Sequence, residues 1–142
     1  MKRIILAGGS GFLGQALAQR FCGRGNEVIV LTRHPRGRSG GSRELPWDGR
    51  TLGEWAKLVD GADAVINLTG RSVDCRYTAA NRRVIIASRV DSTRVLGAAI
   101  ARCTLPPRVW LNASSATLYQ HTFTTPMDEA GGFEIARRSR GT

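Results

Sequence analysis

The stretch Ile4-Ile5-Leu6-Ala7-Gly8-Gly9-Ser10-Gly11-Phe12-Leu13-Gly14 decides how the chain is read, because a short apolar run meets glycines at 8, 11 and 14. The pattern predicts a buried strand, a turn and a helix. Gly8 provides the backbone freedom of a tight turn, and Gly14, lacking a side chain, lets the helix lie close to the strand. Gly11 leaves bare backbone against which a pyrophosphate fits, its charge resting on the free N–H groups and dipole of the helix N-terminus. With 17 glycines in 142 residues, the triplet alone carries little. Its surroundings carry more. Leu13, Ala16, Leu17 and Phe21 recur at the spacing of one helical face. Gly23 and Gly25 can end that helix, and Val28-Ile29-Val30-Leu31 supplies a second strand. The result is a βαβ unit in which Gly8, Ser10, Gly11, Phe12, Leu13 and Gly14 are the candidate ligand-contacting residues. The plainer alternative is a βαβ unit whose turn merely needs glycine.

The residue after the second strand refines the ligand. In dinucleotide folds an acid at this place binds the ribose 2′-hydroxyl, whereas an arginine accommodates a 2′-phosphate. Arg33 stands there, followed by Arg36 and Arg38, and no Asp or Glu is near. A guanidinium pairs well with phosphate, so NADP(H) is expected over NAD(H). A solvated basic loop is the alternative.

Composition sets the frame. The chain is long enough for one domain with its own core, residues 1–142, and 42% of it is hydrophobic. The apolar run behind Met1-Lys2-Arg3 is too short for a signal-peptide core and no run reaches the length of a membrane span, so a cytoplasmic location is expected. Cys22, Cys75 and Cys103 are odd in number and widely spaced, which argues for reduced, packed thiols and against a disulfide framework or zinc site. The net charge of +10 comes from 19 arginines and two lysines against 11 acids and favours anionic partners. The arginines are dispersed without an aromatic-interleaved patch, which ranks nucleic acid last among those partners.

Further along, Glu44 to Gly49 reads as a short edge strand and turn, because Pro46 cannot donate to a central ladder. Thr51 to Val59 reads as a short helix, and Ala62 to Leu68 as a third apolar strand ending in Thr69-Gly70. Strand ends line the ligand crevice of a doubly wound sheet, so Asn67, Leu68, Thr69 and Gly70 are expected to border the cofactor. A long helix from about Thr78 to Arg102 carries the stripe Ile86, Val90, Thr93, Gly97 and Ile100, expected to pack on the sheet, before Pro106-Pro107 breaks it. Arg108 to Ala113 is the next strand, ending in Ser114-Ser115. Residues 134–142 are expected to form a disordered tail.

As an ordered set, Gly8 to Gly14, Leu31-Thr32-Arg33, Pro46-Trp47-Asp48, Val65 to Gly70, Ser88-Arg89 and Ser114 to Tyr119 resemble the atypical short-chain dehydrogenase/reductases. The likeness runs from residue 1 to about 133. It is to the branch described as an epimerase family of nucleoside-diphosphate-sugar epimerases. The resemblance implies an α/β Rossmann fold, a doubly wound parallel sheet of order 3-2-1-4-5 in three αβα layers, and NADP(H) binding. It also implies that Ser115 is the catalytic hydroxyl that orients the substrate, with Tyr119 matching the tyrosine just after it. The proton-transferring tyrosine of such enzymes lies four residues before a lysine, and no such pair stands here. The last lysine is Lys57, Tyr119 is followed four later by Phe123, and Tyr77 by Asn81. The branch tends to carry phenylalanine at the tyrosine position, for which Phe133 is the candidate.

Members of the family continue for a further half, which supplies the lobe over the substrate. The chain is therefore expected to be either a truncated or frame-shifted form, or a natural remnant that keeps the cofactor half. Two functions follow. One is an NADP(H)-dependent oxidoreductase or epimerase acting on a small-molecule substrate, such as a nucleotide-linked sugar. The other is a non-catalytic module that binds or senses NADP(H), favoured by the missing Tyr/Lys pair. The last strand, Val109 to Asn112, is expected at an open sheet edge, through which the chain would form a homodimer.

Overall fold

Residues 1–115, 119, 123, 124, 126 and 128 are described by a computed structural model. Strands β1 (Arg3–Ala7), β2 (Glu27–Thr32), β3 (Arg38–Ser39), β4 (Ser42–Pro46), β5 (Ala64–Asn67) and β6 (Val109–Asn112) form one sheet, ordered β3-β4-β2-β1-β5-β6. Its helices are α1 (Phe12–Cys22), a 3₁₀ helix (Glu54–Leu58) and α2 (Ala79–Ile100). The five strands other than β3 are all parallel, in the 3-2-1-4-5 order of a Rossmann sheet. The order places the switch between β1 and β5, so the carboxyl ends of β1, β2 and β5 meet at one crevice.

The alternation of the central strands builds the layers. Ile5, Ala7, Ile29, Leu31 and Val65 face one side, against Val95, Leu96 and Ala99 of α2 and Trp55 of the 3₁₀ helix. Ile4, Leu6, Val28 and Val30 face the other, against Ala18, Leu17 and Phe21 of α1. Strands buried on both faces read as continuous apolar runs, which is why β1 and β2 stand out in the sequence.

Three details differ from the sequence reading. The basic loop after β2 contains β3, which pairs antiparallel with β4 through Arg38–Arg43 and Ser39–Ser42 and covers that edge. The segment 51–59 narrows to the 3₁₀ helix. On α1, Gly14 and Ala18 are buried whereas Leu13 and Ala16 are exposed. The close approach allowed at Gly14 turns the small residues, not Leu13, toward the sheet.

The α2 stripe holds only in its second half. Thr78 caps the helix by accepting from the Asn81 N–H at 3.1 Å, and Ser92, Val95, Leu96 and Ala99 are the buried positions. Ile86 and Val90 remain 59% and 43% exposed, whereas Ile100 at the other end of the stripe packs against the core. Gly97 instead sits under the Trp110 ring: a Cβ there would come within 3.2 Å of it. No helix among the described residues is long and apolar enough to cross a membrane. Burial pushes the Cys22 and Cys103 thiols up from their ordinary range, as packed thiols require. The tail 134–142 and Phe133 lie outside the described residues.

Candidate functional site

The site begins where β1 turns into α1. Gly8 has φ +70°, and its N–H donates to the Leu31 carbonyl of β2 at 2.9 Å, which ties the turn to the neighbouring strand. A Cβ on Gly14 would overlap the Gly9 backbone, so only glycine lets the helix start there. Gly11 is the N-cap in extended conformation, with no side-chain cap and no acid in the first turn. Nothing lies within 4 Å of where its Cβ would be. The turn thus presents unsatisfied N–H groups to an open space, the arrangement that binds a phosphate. The Phe12 and Leu13 side chains are exposed beside the turn, at 93% and 55%.

The turn faces a cleft of about 350 Å³, whose lining includes Gly8, Ser10, Thr32, Arg33, Trp47, Asp48, Arg50, Thr69, Gly70 and Arg71. Thr32 donates its hydroxyl to Ser10 Oγ at 3.1 Å, locking the glycine turn to the end of β2. Arg33 follows directly and is exposed in the cleft. Arg36 lies instead on the neighbouring hollow beside α1, with His34 and Gln19. Its N–H donates to the Glu44 carboxylate at 2.6 Å. The Arg38 side chain lies outside the described part.

The far wall comes from the segment after β4, which the sequence reading left out of the site. Trp47, 5% exposed, packs edge to face on Trp55 with ring centroids 5.9 Å apart. Asp48 accepts from the Arg50 N–H at 2.8 Å, the Thr51 N–H at 2.9 Å and the Thr51 hydroxyl at 2.7 Å. These bonds, those from Thr51 foremost, hold its carboxyl below the usual carboxylate range. Arg50 leans across to Asp91 of α2 at 3.4 Å. The signal for this wall was the Trp-Asp-Gly-Arg run itself, where a large aromatic precedes a turn.

Behind β5 the four expected cofactor neighbours divide. Thr69 and Gly70 line the cleft, whereas Asn67 and Leu68 do not. Asn67 is buried. Its amide donates to Asn112 Oδ1 at 3.0 Å and Ser92 Oγ at 3.2 Å, and its Oδ1 accepts from the Thr69 N–H at 3.1 Å. It joins β5, β6 and α2 beneath the loop, because a buried amide is stable only when its donors and acceptor are satisfied. Leu68 donates its N–H to the Ala7 carbonyl at 2.8 Å. Ser115 is exposed on the segment after β6 and Tyr119 is half-buried, and neither lines the cleft.

Two buried polar atoms here, Trp47 Nε1 and Thr69 Oγ1, have no hydrogen-bond partner among the described residues. Buried polar groups are ordinarily satisfied. With the uncapped turn and the free room at Gly11, they fit a polar, phosphorylated ligand in this cleft.

Comparison with known proteins agrees with this geometry. Residues 4–135 match the NAD dependent epimerase/dehydratase family. The chain is 32% identical over 130 residues to the epimerase family protein SDR39U1 of Bos taurus, covering 89% of this chain and 41% of that protein. It is 31% identical over 134 residues to the epimerase family protein YfhF of Bacillus subtilis, covering 85% of this chain and 41% of that one. The crystal structure of human SDR39U1 (isoform 2) with NADPH superposes with a TM-score of 0.75 at 30% identity, covering 92% of this chain and 42% of that structure. The chain thus spans about two fifths of the length of the relatives it matches. Since the match extends through every strand that meets at the crevice, the chain belongs to the NAD-dependent epimerase/dehydratase family.

Proposed function

We propose that this chain is the NADP(H)-binding half of an epimerase-family short-chain dehydrogenase/reductase. The observation that carries the choice of cofactor is Arg33, exposed in the cleft one residue beyond the Ser10–Thr32 link, with no acid at the end of β2. The turn at Gly8 and Gly11 holds the pyrophosphate, and Arg33 meets the 2′-phosphate. The solved relative that contains NADPH supports the same reading. When bound, the nicotinamide gives or takes a hydride.

In the whole protein, the activity is epimerisation or oxidoreduction of a small-molecule substrate of the nucleotide-linked sugar class. Ser115 would orient that substrate, with Tyr119 beside it. Moving the hydroxyl proton needs an acid/base group, and Tyr119 has no lysine four residues on. That favours a second reading for this chain by itself, a module that binds or senses NADP(H) without turnover. The protein works in the cytoplasm, where Cys22, Cys75 and Cys103 stay reduced, and it forms a homodimer through the edge at β6.

Binding of NADPH and NADH to the purified chain tests the cofactor assignment. NADPH is expected to bind more tightly by roughly tenfold to a hundredfold, the value of one charge-assisted pair of ~1.5–3 kcal/mol. Arg33→Ala erases the difference. Equal affinity of the unmodified chain for the two would overturn the assignment.

A further inference from the structure

We propose that Ser88 and Arg89 are positioning residues for the cleft: they grip the Arg71 peptide from both sides so that Arg71 serves as a second anion-binding side chain for the bound cofactor. The inference rests on the cofactor reading above and extends it to the loop after β5. The Arg71 N–H donates to Ser88 Oγ at 2.9 Å, and the Arg71 carbonyl accepts from Arg89 Nη1 at 3.3 Å. Two consecutive residues of α2 thus hold both polar groups of one residue on a loop that has no regular structure of its own.

Both side chains are themselves anchored. Ser88 donates to the Ile85 carbonyl at 2.9 Å, and Arg89 Nη1 reaches the same carbonyl at 3.1 Å. The Arg89 guanidinium passes beneath Gly70, where an added Cβ would lie 3.0 Å from Cζ and 3.1 Å from Nη2. Gly70 therefore keeps open the room through which Arg89 reaches the loop. What the grip presents is suited to an anion. Arg71 lines the cleft, and its guanidinium has no ion-pair partner among the described residues. Two residues before it, Thr69 Oγ1 is buried with no partner among the described residues. Arg71 in the cleft lining and the Thr69 hydroxyl packed beside Gly8 of the turn form a second set of donors for a diphosphate.

Amide exchange and NADPH titration of the full chain test the two halves of this claim separately. The Arg71 amide is expected to be protected, to lose protection in Ser88→Ala and to keep it in Ser88→Thr, whose hydroxyl still accepts. Arg71→Gln and Arg89→Ala are each expected to weaken NADPH binding about tenfold with little change in thermal midpoint. Gly70→Ala, which presses on the movable end of Arg89, is expected to weaken binding less than Arg89→Ala, and combining the two should weaken it no further than Arg89→Ala alone. An unprotected Arg71 amide in the unmodified chain would overturn the grip. Arg71→Gln or Arg89→Ala variants that bind NADPH as tightly as the unmodified chain would overturn the role in binding while leaving the cofactor reading intact. An unmodified chain that binds no NADPH would overturn that reading and this role together.

Discussion

The two flanks of the sheet are built differently. On the β4 flank, β3 pairs back on the edge, and Trp47 and Trp55 close the space beneath. On the β6 flank all four residues are exposed, and among the described strands β6 pairs with β5 alone. The register aligns Val109 with Ala64 and Leu111 with Ile66, on the face that α1 packs against. The closed flank carries the cleft lined by Gly8, Arg33, Trp47 and Asp48. At the other, Val109, Trp110 and Leu111 are partly exposed.

This contrast should break first in stability. Trp55→Ala empties a buried site on the closed flank and is expected to cost about 3–5 kcal/mol, whereas Leu111→Ala, at a residue 53% exposed, should cost under about 1 kcal/mol. Chemical denaturation of the two variants checks this, and similar losses would mean that β6 is as well covered as β4. Next comes binding. Gly11→Val should abolish NADPH binding by at least about a hundredfold, ~2.7 kcal/mol, with unchanged thermal stability, since its side chain enters open space. If calorimetry shows unaltered affinity, the turn is not the phosphate site.

How far the sequence revealed this asymmetry follows from where each signal came from. β1, β2 and β5 were legible because consecutive Ile, Val and Leu have few other places to go, and the glycine turn because each glycine answers a separate steric demand. β3 was not, since Arg38 and Ser39 carry no apolar pattern and their pairing depends on Arg43 and Ser42. The α2 stripe holds only in its second half: Ile100 joins the core, Gly97 meets Trp110 and Thr93 bonds to Asn67, whereas Ile86 and Val90 obey helical spacing yet stay exposed, and Ser92 and Ala99, unremarkable as letters, are buried. Asn67 read as a cleft residue because it ends a strand. Its actual partners, Ser92 and Asn112, lie 25 and 45 positions away, and no local pattern announces them.

Two smaller effects sharpen the comparison. Self-association through the open edge should appear in light scattering at high concentration and weaken about tenfold, ~1.4 kcal/mol, in Leu111→Lys. A monomer under all conditions would show that the flank needs no partner. The smallest effect lies on the closed flank. The Asp48 carboxyl is held below its ordinary range in the folded chain by Thr51 and Arg50. Its contribution is therefore fully present above the unfolded value near pH 4 and lost as pH falls through the lower folded value. Asp48→Asn should flatten the acid limb of thermal stability slightly, and an unchanged limb would mean that the Asp48 turn contributes nothing.

The tryptophans divide along the same line. Trp47 and Trp55 touch each other beside the cleft, and Trp110 rides on the outer strand over Gly97. Indole emission overlaps the absorption of a reduced nicotinamide, and it shifts to the blue when water leaves the ring. Energy transfer to bound NADPH should therefore be strongest from the pair at the cleft, while a change in the colour of Trp110 should follow whatever settles on the edge. With Trp110→Phe leaving the cleft pair and the double variant Trp47→Phe/Trp55→Phe leaving Trp110 alone, one optical cell could follow the two flanks independently.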